Sequence, residues 1–131
     1  MLEQIVLKTT ESDIHEFYVG ILGGKITSTY TLNMEDAMRN FNIPQQVKVY
    51  ELKLQNMQFQ LTVYEAFELD SLEHLLLPLN NVSEIFKKAC EKNYCSHLQK
   101  KGERISYFIQ DNNNNLFELQ NKMQYHEQYI G

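Results

Sequence analysis

One pattern of elements occurs twice in this chain, and that repetition limits the folds open to it. The first pass is "QIVLKTTESDIHEFYVGILGGKI". Residues 4–8 are apolar and β-branched enough for a strand. Thr10, with Asp13 three residues on, is a capping-box signature. Ile14, Phe17, Tyr18, Ile21 and Leu22 then recur at the spacing of one buried helix stripe. Gly23 and Gly24 close it, because glycine tolerates the left-handed conformation past a helix end. The second pass is "HLLLPLNNVSEIFKKACEKNY". Residues 74–79 form its strand, and Pro78, lacking an amide donor, ends that strand or runs it along an edge. Asn81 and Glu84 make a weaker capping pair. Val82, Ile85, Phe86, Ala89 and Cys90 repeat the stripe, and Asn93 stands where a glycine would close the helix.

Three alternating stretches follow each helix. In the first half they are "KITSTYTL", "QQVKVYELKL" and "MQFQLTVYE"; in the second, "YCSHLQK", "RISYFIQD" and "NLFELQN". Each half therefore reads strand, helix, strand, strand, strand, and each ends on a hairpin, "LQNMQF" or "QDNNNNLF". Asn and Asp accept left-handed conformations and bond their own backbone, so the asparagine run closes a tight turn between strong strands. Module one spans about 1–65 and module two about 72–122 of a single domain, with "AFELDS" as linker and a tail at 123–131. The tail covers a sheet edge or pairs with a second subunit. The halves differ at "LNMEDAMRNFNIPQ". There Met34, Ala37, Met38 and Phe41 have helical spacing, with Asn33 and Asp36 as a cap. This segment is a short packing helix or a lid whose methionines touch ligand.

Composition narrows the class. A length of 131 residues suits one domain with a real core, and 43% hydrophobic with 22% charged residues is ordinary for a soluble globular protein. No apolar run approaches the roughly 18–20 residues of a membrane span, and "MLEQIVLKTT" is too short and polar for a secretion signal. The expectation is a cytoplasmic protein with Cys90 and Cys95 as reduced thiols. A net charge of −5 argues against nucleic acid. The basic clusters "FKKAC" and "LQKKGER" read as a solvated helix face and a turn.

Two βαβββ modules resemble the vicinal oxygen chelate superfamily, which includes glyoxalase I, bleomycin-resistance proteins and extradiol dioxygenases. "FYVGILGGKI" and "YFIQDNNNNLFEL" carry the resemblance most specifically. The latter is similar to the family's Asp-x-x-Gly-Asn-x-x-Glu-Leu ending, with Asn114 in place of the glycine. The resemblance implies an α+β fold whose modules form an open cup of mixed sheet, a homodimer, and a divalent metal (Zn, Ni, Mn, Fe or Co) between the halves. It assigns the metal ligands by position to Gln4, Gln60, His74 and Glu118, with Glu118 as catalytic base. Strand alternation independently separates Phe59, Leu61 and Val63 from Gln58, Gln60, Thr62 and Tyr64, and Phe117 and Leu119 from Glu118. The apolar faces should pack on the helices.

His74 and Glu118 suit a first-row metal. Gln60 departs from the family's usual glutamate, and an amide cannot shuttle protons near neutral pH. Gln4 likewise removes the first histidine of a dioxygenase triad. His74 and Glu118 can instead hydrogen-bond each other or the two glutamines. His15 lies on the polar side of its stripe, and His97 and His126 have no metal-ligand partner pattern. No phosphate loop or serine nucleophile elbow appears. Tyr30, Tyr50, Tyr64 and Tyr107 fall on strands, as packing residues or as walls of an aromatic pocket. The leading reading is a small-molecule binder without catalysis. The alternatives are a metal-dependent lyase, isomerase or dioxygenase, and an interaction module whose cup is filled.

Overall fold

The computed structural model describes residues 3–65 and 73–122. The linker "AFELDS" and the tail, with His126, lie outside the described residues. The chain divides into two compact units, Met1–Leu69 and Asp70–Gly131. Each carries one four-stranded mixed sheet, and the two have the same topology.

In the first unit β1 (Glu3–Lys8) is followed by a helical turn α1 (Glu11–Asp13) that continues as a π-helical segment, Ile14–Val19. Then come β2 (Lys25–Leu32), α2 (Met34–Phe41), β3 (Val47–Leu54) and β4 (Met57–Val63). The sheet order is β1-β4-β3-β2, with β1 parallel to β4. In the second unit β5 (Glu73–Leu79) leads into α3 (Val82–Glu91), then β6 (Ser96–Lys101), β7 (Arg104–Gln110) and β8 (Asn115–Asn121). Its order is β5-β8-β7-β6, with β5 parallel to β8. This is the repeated strand, helix, three-strand pattern expected from sequence, with α2 as the one addition. Pro78 sits inside β5, which is an edge strand, where a residue without an amide donor is tolerated.

The first helix departs from expectation. Thr10 caps it as anticipated, its hydroxyl accepting from the Asp13 amide at 3.3 Å. Beyond Asp13 the hydrogen bonds lengthen by one residue: the Gly20 amide donates to the His15 carbonyl at 3.0 Å and the Leu22 amide to Phe17 at 2.9 Å. Ile21 and Leu22 thus fall in the turn after the helix, yet the whole stripe of Ile14, Phe17, Tyr18, Ile21 and Leu22 is buried. Packing decides this. A cap contributes about 1 kcal/mol, and each buried large apolar side chain roughly 1.5–3 kcal/mol. The stripe covers the sheet face of Leu52, Phe59 and Leu61, with the rings of Tyr18 and Phe59 6.1 Å apart.

Module two deviates in two details. Asn81 is left-handed (φ 48°) and its side chain makes no cap bond, so the Asn81–Glu84 capping pair does not form. Cys90 is exposed, and the inward stripe of α3 is Val82, Ile85 and Ala89, with Phe86 half-buried against Tyr107 at 5.2 Å. Cys90 lies on the rim, its sulfur 3.1 Å from the Ser96 hydroxyl. Asn93 does close the helix at φ 62°.

Glu11 ties the first helix to β3. The Tyr50 hydroxyl donates to its carboxylate, and the Lys48 ammonium lies 3.1 Å away. The Tyr50 bond, followed by Lys48 and working against partial burial, holds the Glu11 carboxyl below its ordinary value. A depressed carboxyl stabilises the fold above its unfolded value, about 4.3, and that contribution is lost as pH falls through the lowered folded value. Glu11→Gln should therefore flatten the acid limb of a stability-versus-pH curve measured by denaturant unfolding.

Gly24 is buried where the chain leaves the first helix. A β-carbon there would lie 2.4 Å from Leu52 Cδ2 and 3.0 Å from the Tyr18 carbonyl oxygen. Gly24→Ala should cost about 1–3 kcal/mol. The double variant with Leu52→Ala should cost less than the sum of the two, as read from urea midpoints.

Candidate functional site

The parallel strand pairs give both modules the same stagger. Gln4 stands opposite Gln58 and Gln60 opposite Val6. His74 stands opposite Leu116 and Glu118 opposite Leu76. Gln4 with Gln60, and His74 with Glu118, thus occupy equivalent diagonals in the two sheets. The antiparallel partners correspond too. Gln60 faces Glu51, which faces Ser28; Glu118 faces Phe108, which faces His97.

In module two the diagonal brings its residues together. His74 Nε2 lies 3.5 Å from Glu118 Oε1. That exceeds the roughly 2.7–3.2 Å of a well-formed hydrogen bond, so the pair is close without being locked. The imidazole is exposed and the carboxylate half-buried. Beside them the Phe108 ring is buried, stacked at 4.7 Å and 3° on the His97 imidazole and 6.0 Å from that of His74. His97, without a metal-ligand partner pattern in the sequence, thus has an aromatic role on this face. Ile109, Phe117 and Leu119 are buried on the opposite face, toward α3.

The asparagine run ends the slack that would blur this geometry. Asp111 accepts from the backbone amides of Asn113 and Asn115 at 2.8 and 2.9 Å, and from the Asn115 side-chain amide at 2.9 Å. Asn114 takes the left-handed conformation at φ 67°, the position filled by glycine in the pattern the sequence resembles. The turn fixes where β8 begins, and strand alternation carries Glu118 to the face of His74 and Phe108.

In module one the equivalent face carries Gln4, Gln58, Gln60 and Glu51. Glu51, mid-strand in an alternating stretch, has no distinguishing motif in the sequence. Its Oε2 accepts from Gln58 Nε2 at 3.2 Å. Burial, with help from Glu51, raises the Tyr30 phenol above its ordinary value and keeps it neutral. A signal was present in "VKVYELKL", where alternation slips phase: Val47 and Val49 are buried on one face, Leu52 and Leu54 on the other. Val47 and Val49 pack with Ala37 and Ile43, with Tyr30, Leu32, Phe41 and Tyr64 around them. So α2 covers one end of the face that Glu51 and Gln60 share. It packs through Ala37 and Phe41, while Met34 and Met38 are exposed beside a recess of about 500 Å³. A second cavity of about 300 Å³ is lined by Tyr30, Leu32, Asn40, Phe41 and Gln60. Of the other tyrosines, Tyr50 is buried toward the first helix and Tyr64 follows the end of β4.

A metal finds a partial donor set. Among the described residues no three His, Cys, Asp or Glu side chains gather. His74 and Glu118 are two donors of a kind that first-row metals accept. Also among the described residues, no helix is long and apolar enough to cross a membrane.

No protein-family model matches the chain, and no curated protein matches it by sequence. Solved structures match over nearly its full length. A glyoxalase I of Leishmania major, described as trypanothione-dependent, is 14% identical with a TM-score of 0.67, covering 98% of this chain and 91% of that one. A fosfomycin resistance protein, FosX, of Listeria monocytogenes is 15% identical with a TM-score of 0.65, covering 92% and 90%. A glyoxylase/bleomycin resistance protein/dioxygenase domain from a Frankia species is 13% identical with a TM-score of 0.68, covering 91% and 94%. The fold is that of the vicinal oxygen chelate superfamily: α+β, built from two βαβββ modules with open mixed sheets.

Removing the turn should loosen the site's edge. Asp111→Ala leaves buried donors unmatched and should cost about 2–3 kcal/mol. Amide exchange should accelerate along β8 before it does along β3.

Proposed function

We propose that this protein binds a small molecule on the module-two face that carries His74 and Glu118, and that it does so without catalysing a reaction. The observation that supports this most is the unlocked His74–Glu118 pair, 3.5 Å apart beside the Phe108–His97 stack. An apolar aromatic wall with a few convergent polar groups is the usual make-up of a ligand site. His74 and Glu118 orient the ligand, one offering a ring nitrogen and the other a carboxylate. Phe108 and His97 supply flat contact area. Gln60 stands where the family pattern has a glutamate, so the proton carrier of a two-carboxylate shuttle is missing. The homodimer implied by the resemblance belongs to the same proposal.

The second reading is a metal-dependent enzyme, favoured by the chemistry of the same pair and by the named activity of the glyoxalase I neighbour. His74 and Glu118 would hold the divalent ion, which would supply Lewis acidity; Glu118 would also hold or move a proton at its free oxygen.

One pair of titrations decides. Metal-stripped protein should bind planar aromatic fragments bearing a hydrogen-bonding group. His74→Ala and Glu118→Ala should each weaken that binding about ten-fold, the scale of one lost charge-assisted hydrogen bond. Fragment binding indifferent to both substitutions sinks the proposal. Calorimetry with Mn, Fe(II), Co, Ni and Zn tests the second reading: stoichiometric uptake lost in both variants supports the enzyme, and no uptake removes it.

A further inference from the structure

The outer edge of the module-two sheet has no partner strand. Among the described residues β6 pairs only with β7, in a register that runs without a break from Ser96↔Ile109 to Lys101↔Arg104. The Gln110 amide donates to the Cys95 carbonyl at 2.9 Å, so Cys95 and Gln110 extend that ladder as a hydrogen-bonded pair. Such pairs alternate along antiparallel strands. The backbone groups of His97, Gln99 and Lys101 therefore turn toward β7, and the N–H and C=O groups of Ser96, Leu98 and Lys100 face outward.

Proteins ordinarily blunt an edge of this kind. The edge strand β5 carries Pro78. β2, the counterpart of β6 in module one, breaks register between Ile26 and Ser28, and there Thr27 Oγ1 donates to the Glu51 carbonyl at 3.2 Å. β6 has neither device. Its side chains are exposed apart from half-buried Ser96. Leu98 is 55% exposed where module one has Thr29, and Ile105, beside Lys100, is also exposed. Lys100 and Lys101 end the strand, and among the described residues no salt bridge reaches either. The lysine pair is the edge's only guard. It repels a cationic strand and attracts an acidic one.

We propose that the β6 edge docks an extended acidic segment of a partner protein as a fifth, antiparallel strand of the module-two sheet. The partner's backbone bonds to the outward groups of Leu98 and Lys100. A β-branched residue opposite Leu98 packs on it, and carboxylates opposite Lys100 and Lys101 match their charge. A second copy is a poorer occupant, because it would bring both lysine pairs into one short ladder. The docking uses main-chain groups at the rim of the sheet and not the side chains of His74 and Glu118. It stands whether or not the open face holds a ligand.

The test is an NMR titration of the full chain with the end-capped peptide Glu-Glu-Thr-Ile-Thr-Val, with Lys-Lys-Thr-Ile-Thr-Val as control. Saturable binding of the acidic peptide, about ten-fold or more tighter than the basic one, is expected. New hydrogen-exchange protection should appear at the Leu98 and Lys100 amides. N-methylation of the peptide's isoleucine removes the donor facing Leu98 and should abolish that protection. The double variant Lys100→Glu with Lys101→Glu changes only exposed side chains. It should invert the preference between the peptides and leave the thermal midpoint close to that of the parent. His74→Ala should bind the acidic peptide as the parent does. No saturable binding, equal affinity for the two peptides, binding without protection at Leu98 and Lys100, or binding lost in His74→Ala overturns the proposal. Concentration-dependent protection of these two amides in the peptide-free protein would make a second copy the occupant and overturn it as well.

Discussion

The parallel pairing of the first and last strand in each module carries the rest of this structure. β1 on β4, and β5 on β8, are the only non-local parallel ladders among the described residues, and each brings together residues more than forty positions apart. Because side chains alternate with period two, a one-residue slip would send Glu118 to the helix side and Phe117 to the open face. Phe117, Phe59 and their neighbours are fully buried, so the hydrophobic cost of such a slip is several side chains' worth of burial. Core packing on one face thereby sets the polar geometry on the other. The His74–Glu118 approach is a by-product of where Phe117 and Leu119 must go.

The two modules have one scaffold and different faces. At equivalent diagonals module one presents two amides and module two an imidazole and a carboxylate. On the next strand the relation inverts: module one has Glu51 where module two has Phe108. Charge and aromaticity are thus exchanged between corresponding positions. α2, which has no counterpart in module two, sharpens the difference. By packing on Val47 and Val49 it walls one end of the Glu51 face and creates the cavity beside Tyr30 and Phe41. Repetition supplies the frame, and substitution on the open faces supplies whatever specificity the protein has.

Much of the fold was legible in the residues. Thr10, the stripe from Ile14 to Leu22, the Asn33 cap and the two hairpins each carry a local physical signal that the structure obeys. The misses share a cause. The widened π-helical turn, the uncapped Asn81 and the outward Cys90 are settled by tertiary packing, which local spacing does not encode. For the site, strand alternation puts Glu118 on the face opposite Phe117 and the family resemblance points to His74; the structure holds His74 and Glu118 3.5 Å apart. The sequence did not expose Glu51, because a lone glutamate in an alternating strand looks like a solvated residue. Only the phase slip between Val49 and Leu52 hinted that both faces of β3 are covered. His97 lacks a metal-ligand pattern, and its stacking on Phe108 depends on the β6–β7 register, which local spacing does not encode.

The most direct test uses the histidines as reporters. With 13C-labelled histidine, the imidazole signals of His74 and His97 mark the open face of module two, and His15, on the first helix, serves as an internal control. When a small aromatic ligand is titrated into metal-free protein, the account expects His74 and His97 to shift together along one saturation curve while His15 stays still. Saturable binding that leaves His74 and His97 unmoved would contradict it.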